Sequence, residues 1–260
     1  TQSYIANQAG LGVRLDSSAD YNTIILSTVT SDAAGFSAFS MTGSSSNAIL
    51  SSYVQGSTAA FISASTGTYI GGSIFIATNT AGSALALAGG SVNLTIASST
   101  LLAPSLGRGL YLDSDNSGVV SLSSVIFTGS ARGLEVSTQV AGAFSLVVDS
   151  ITFRALAPGA TAIHFLGGTF VSSITLANFE DANVGANVSG AALALASRIT
   201  MIRPKGARRG PAYENDPNSL VDWAQPAPGC YEGFTVIQAG GGDFTTIQAA
   251  MNAVPSSLID

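Results

Sequence analysis

Ala84-Leu85-Ala86-Leu87, Gly109-Leu110-Tyr111-Leu112 and Gly133-Leu134-Glu135-Val136 are three copies of one pattern: a small residue, an apolar residue, any residue, and a second apolar residue. Working outward from these three, the first apolar position recurs at Val13, Phe36, Ala60, Leu85, Leu110, Leu134, Ile163 and Leu193. Two residues further on stand Leu15, Ala38, Ile62, Leu87, Leu112, Val136, Phe165 and Leu195. The small residues in front are Gly12, Gly35, Ala59, Ala84, Gly109, Gly133, Ala162 and Ala192. A fixed period between about 20 and 50 residues marks a solenoid of stacked coils.

An apolar pair at i and i+2 has the period of a strand, whose successive side chains point to opposite faces. The intervening column should therefore face outward, and it is mixed: Arg14, Ser37, Phe61, Ala86, Tyr111, Glu135, His164 and Ala194. Upstream of the anchors lie further strand-like runs, at Ile24–Val29, Ile49–Val54, Ser73–Ile76, Leu94–Ile96, Val119–Ile126, Phe144–Phe153 and Ile174–Phe179. Two or three short strands per turn define an all-β chain, a single-stranded parallel β-helix of about eight coils. On an inter-strand spacing of about 4.8 Å, those coils would span roughly 35–40 Å. The small residue before each anchor is expected where the backbone bends or neighbouring coils come close. A leucine-rich repeat would need a consensus Asn and a helical outer segment. A helical solenoid would need the i, i+3, i+4, i+7 pattern, which no repeat has.

Charged residues make up 9% of the chain, against about 25% in a typical soluble domain. None occurs between Asp32 and Arg108, so the outside of that stretch must consist of hydroxyls, amides and backbone. The net charge of −6 argues against a nucleic-acid partner, because such binding needs Lys and Arg to neutralise phosphates. No apolar run is long and uninterrupted enough for a membrane span. The single Lys205 and single Cys230 fit an extracellular or cell-surface setting, and one Cys allows no internal disulfide.

Three segments are expected: a repeat array over residues 1–203, a Pro-rich charged linker over 204–233, and a different pattern over 234–260. Longer intervals near the end of the array predict inserted loops at 155–161 and 181–190. Phe234–Gln238 reads as a strand, Ala239–Asp243 as a turn, and Thr245–Val254 as a short amphipathic helix ended by Pro255. The run from Phe234 through Gly240-Gly241-Gly242-Asp243-Phe244 and Ile247-Gln248-Ala249-Ala250 to Pro255 resembles the opening of the pectin-lyase-like superfamily, in particular the pectinesterase start. The resemblance implies a right-handed β-helix, with this strand, turn and helix as the cap that begins a second, truncated module of a tandem surface protein.

It implies activity only weakly. Pectinesterase-like catalysis needs two Asp carboxylates, Gln side chains and an Arg. Leu106-Gly107-Arg108 is similar to one family segment, but Gly109-Leu110 follows where Pro-Trp should. Asp113-Ser114-Asp115-Asn116-Ser117-Gly118 matches the first half of a Ca²⁺-binding EF-hand loop, yet Ser124 replaces the Glu that should close it. It reads as a polar turn.

His164, the only His, and Glu135 should be outward neighbours on adjacent coils, read as a surface ion pair, with a catalytic dyad as the sharper alternative. Glu180 and Asp181 are adjacent, so on a strand they would diverge. Arg203, Lys205, Arg208 and Arg209, followed by Glu214, Asp216 and Asp222, read as a neutralised linker. Phe61 and Tyr111 could stack on sugar rings. Asn93-Leu94-Thr95 and Asn187-Val188-Ser189 are glycosylation sequons. No residue is assigned as catalytic, cofactor-binding or metal-ligating.

The expectation is a non-catalytic structural or adhesive module with an extracellular polysaccharide as partner and self-association through the β-helix ends. The alternative is a polysaccharide lyase or carbohydrate esterase.

Overall fold

The computed structural model describes residues 2–104, 106–137, 139, 144–154, 156–157 and 160–166 in full. Beyond them it describes the backbone of strands Val171–Ile174, Ala177–Phe179, Gly185–Asn187, Ile199–Ile202, Glu214–Asn215 and Val221–Ala224. The chain winds as a parallel β-solenoid with three strands to a turn, and no helix occurs among the described residues.

Face 1 stacks Thr23–Ile25, Ala48–Leu50, Thr66–Gly71 and Val92–Ala97. Face 2 stacks Tyr4–Asn7, Thr28–Ser31, Tyr53–Gly56, Ile74–Ala77 and Thr100–Leu102. The long strands Ser117–Thr128 and Phe144–Arg154 serve both faces, their first halves continuing face 1 and their second halves face 2. Face 3 stacks Val13–Leu15, Ser37–Thr42, Thr58–Ser63, Ser83–Ala88, Arg108–Leu112, Arg132–Val136 and Thr161–Phe165. These seven face-3 strands enclose six complete turns, fewer than the eight coils expected. Gly185–Asn187 and Glu214–Asn215 extend the same ladder.

The interior consists of ladders of like side chains. On face 3, Ala60, Leu85, Leu110, Leu134 and Ile163 are in register, and so are Ile62, Leu87, Leu112, Val136 and Phe165. On face 2 the ladder runs Val29, Val54, Phe75, Leu101, Phe127, Phe153. The rings of Phe127 and Phe153 stack with centroids 5.2 Å apart. All of these side chains are buried. The small residue before each anchor has its reason here. A Cβ on Gly133 would lie 2.3 Å from a ring carbon of Phe153 and 2.7 Å from the carbonyl oxygen of Ala162.

Two expectations need correction. In the second coil the ladder residues are Phe39 and Met41, opposite Val13 and Leu15 on one side and Ala60 and Ile62 on the other. Phe36 is exposed and Gly35 occupies a positive-φ turn. Both Gly35-Phe36-Ser37-Ala38 and Ala38-Phe39-Ser40-Met41 satisfy the pattern, and even spacing favoured the wrong one. The outward residue of that coil is accordingly Ser40, not Ser37. At the far end, the strand paired with Ile163 and His164 is Gly185–Asn187, which places Ala186 and Asn187 opposite them. Leu193, Ala194 and Leu195 lie outside the described residues.

Runs such as Ile24–Val29 and Ile49–Val54 are each two strands joined at a corner. The corner residues Leu26, Ser51, Gly72 and Ser98 have positive φ, and each donates its N–H to the next rung. Each is followed by a buried serine: Ser27, Ser52, Ser73 and Ser99. The N–H groups of Ser27, Ser52 and Ser73 each donate to the hydroxyl of the next serine at 3.1 Å.

Two strands, Glu214–Asn215 and Val221–Ala224, fall inside the stretch read as a linker and pair in parallel with Gly185–Asn187 and Ile199–Ile202. The rest of that stretch, Cys230 and all of 234–260 lie outside the described residues.

Candidate functional site

Face 3 carries the site because its strands break strict alternation. In Arg108–Leu112 and Arg132–Val136, Gly and Leu are both buried in succession. The phase therefore flips, and Arg108 and Arg132 turn outward rather than into the core. Register sets Arg108 opposite Arg132, Tyr111 opposite Glu135, and Glu135 opposite His164.

Glu135 is the centre. Its side chain is 1% exposed although it lies on the outer surface, because its neighbours cover it. Arg108 Nε donates to Oε1 at 2.6 Å, and His164 Nδ1 donates to Oε2 at 2.9 Å. Arg132 Nη1 pairs with Oε2 as well. Burial alone would raise the Glu135 pKa. The His164 hydrogen bond and the charges of Arg108 and Arg132 outweigh it and hold the carboxyl below its ordinary value. A carboxylate only accepts, so His164 carries its hydrogen on Nδ1.

The Arg108 guanidinium lies over the Tyr111 ring, 4.5 Å from its centroid, a cation–π contact. Tyr111 donates its hydroxyl to Asp113 Oδ1 at 3.0 Å. Burial and that hydrogen bond push the phenol pKa up. Tyr111 is therefore no open platform for a sugar ring, contrary to the expectation, because a guanidinium already covers it. Phe61, two rungs away in the same column and half-buried, has no such roof.

The predicted contact between Glu135 and His164 is present. Arg108, read as part of a turn, heads a strand, and Arg132 escaped notice altogether. The signal that could have found them is their common position, two residues before the Leu anchors of consecutive coils. Asp113 does not reach the cluster directly. Its Oδ1 also accepts the Ser114 N–H at 2.8 Å, and Asn116 turns inward, donating to the Asp113 and Leu87 carbonyls. Among the described residues no group of three or more His, Cys, Asp or Glu side chains could hold a metal ion. Asn93, of the first sequon, has positive φ and accepts the Val119 N–H. The side chains of Glu180, Asp181, Arg203, Lys205, Arg208, Arg209, Glu214, Asp216, Asp222 and Asn187 lie outside the described residues. No helix among the described residues is long and apolar enough to cross a membrane.

By architecture the chain is a parallel β-solenoid whose outer face holds one buried carboxylate between two arginines and a histidine. No protein-family model matches the sequence, and no curated protein matches it. Among solved structures it is similar to the crystal structure of the tailspike protein gp49 from Pseudomonas phage LKA1, with a TM-score of 0.35 and 11% identity. The match covers 81% of this chain and 50% of that one, so the chain spans about half the length of the tailspike.

Proposed function

We propose that the chain is a non-catalytic structural or adhesive module of a larger extracellular or cell-surface protein of pectin-lyase-like fold, and that it engages polysaccharide through the outer surface of face 3. In this reading residues 1–203 carry the array and residues 234–260 open a second unit of the same kind. Residues 204–233 join them, with two short strands added to the last rungs.

The observation that carries the non-catalytic part is the state of Glu135. A carboxylate acting as base or nucleophile needs a free oxygen, and as an acid it needs a raised pKa. Both Glu135 oxygens are engaged by cations, and its pKa is held down. The adhesive part is supported by the hydroxyls of Ser37, Ser40 and Thr58, which line face 3 near Phe61 on a surface almost devoid of charge.

The alternative, a polysaccharide lyase or carbohydrate esterase, draws on one feature. Glu135 fixes His164 through Nδ1, which leaves Nε2 as the ring nitrogen that could serve as a general base.

The test is retention on arrays of acidic and neutral polysaccharides, followed by analysis for unsaturated or de-esterified product. Retention without product is expected. Product that disappears in His164→Gln would establish the enzyme instead. Failure to be retained on any polysaccharide would remove the adhesive role.

A further inference from the structure

The geometry points to a receptor for one anionic group of a saccharide, a carboxylate or a sulfate ester, built from Arg108 and Arg132. The inference rests on the adhesive reading above and names the chemistry that its surface selects.

Its starting point is a placement that folding alone disfavours. Arg108 and Arg132 stand directly opposite each other on neighbouring strands, about 4.8 Å apart at the backbone. Like charges in that relation repel. An ion pair with Glu135 would need only one of them. Residues 2–166 contain four basic residues other than His, namely Arg14, Arg108, Arg132 and Arg154, so placing two face to face is not a by-product of a basic surface.

One carboxylate cannot neutralise two guanidiniums. Arg108 gives Glu135 its Nε and Arg132 gives it Nη1. Among the described residues no acceptor takes their remaining N–H groups. Asp113, joined to the cluster only through Tyr111, has its Oδ1 held by the Tyr111 hydroxyl and the Ser114 N–H.

The donors are also organised in advance. The Arg108 plane is fixed by Tyr111 beneath it and Glu135 beside it. A guanidinium held in this way loses little freedom when it forms two parallel hydrogen bonds to a planar or tetrahedral oxyanion. Both arginines remain reachable, at 32% and 41% side-chain exposure. On the far side of Arg132 the same column continues with the half-buried Thr161, whose hydroxyl is placed for the rest of a sugar.

Two measurements test the inference. In the first, the arginine Nε–H resonances of Arg108 and Arg132 are followed during titration with sodium sulfate and sodium glucuronate, with ionic strength held constant by sodium chloride. In the second, calorimetry compares an oligogalacturonate with its methyl ester on the native chain, Arg132→Gln and Arg132→Lys, with thermal melts confirming that the variants fold. We expect both anions to shift the two resonances and the free acid to bind while the ester does not. Affinity should fall at least tenfold in Arg132→Gln, with Arg132→Lys in between. Equal binding of acid and ester would overturn the anion receptor and leave the glycan reading intact. Shifted resonances without oligosaccharide binding would uphold the anion site and sink the glycan reading. Resonances indifferent to both anions would overturn the inference outright.

Discussion

Replacing Glu135 by Gln keeps the shape of the side chain and removes the charge that separates Arg108 from Arg132. A fully buried pair broken in this way costs about 3–5 kcal/mol. Both arginines are a third or more exposed, so solvent absorbs part of the loss, and we expect about 1–3 kcal/mol at pH 7 in urea unfolding. The pH dependence has a definite sign. The folded carboxyl titrates below its ordinary 4.5, so its stabilisation is complete above that value and is lost as the pH falls through the folded value. The stability gap between the native chain and Glu135→Gln should therefore narrow on acidification below about pH 4.5. A gap that stayed constant to pH 3 would show that the charge is not what stabilises the cluster. The Glu135–His164 contact was legible in the sequence, since both occupy the same position of consecutive repeats. Arg108 and Arg132 were not, because counting back from Leu110 or Leu134 by strict alternation sends them inward. Only the close approach of Gly109 and Gly133 to the phenylalanine ladder reverses that phase.

At the scale of single elements, the corner between faces 1 and 2 shows where sequence reading stops. Strand periodicity marks Ile24–Val29 and Ile49–Val54 as apolar runs but cannot mark a bend, because the residues in the left-handed region include Leu26 and Ser51, which do not announce one. That conformation costs about 1–2 kcal/mol per non-glycine residue, and the serine ladder beside it compensates by satisfying buried N–H groups. Ser73→Ala removes the hydroxyl that accepts the Ser52 N–H and leaves that donor buried without a partner. We expect a loss of about 1–3 kcal/mol by urea unfolding. The positions in register with this ladder further along are Val125 and Ile151, so apolar rungs exist there too. Ser99→Ala at the last hydroxyl rung should likewise strip the Ser73 N–H of its acceptor. If both substitutions were silent, the ladder would be filler rather than a corner device.

At the scale of the whole molecule, the repeat decides how damage spreads. Each rung hydrogen-bonds to the one before and the one after, so stability is close to a sum of rung and nearest-neighbour terms. Phe127 sits between Leu101 and Phe153 in the face-2 ladder and stacks on the latter. Truncating it to Ala opens a cavity at one level of the column, at a cost of about 3–5 kcal/mol. A globular domain with a shared core would transmit that loss everywhere. Here the rungs from Thr23 to Gly71 share no side-chain contact with the defect by register, whereas Thr100–Leu102, Phe144–Arg154 and Arg108–Leu112, whose Gly109 packs against the Phe127 ring, surround it. Hydrogen exchange followed by mass spectrometry should therefore show a large loss of protection in the second group. Protection in the first group should fall much less. Equal loss along the array would mean that the rungs melt as one cooperative unit, and the nearest-neighbour account of this fold would have to be abandoned.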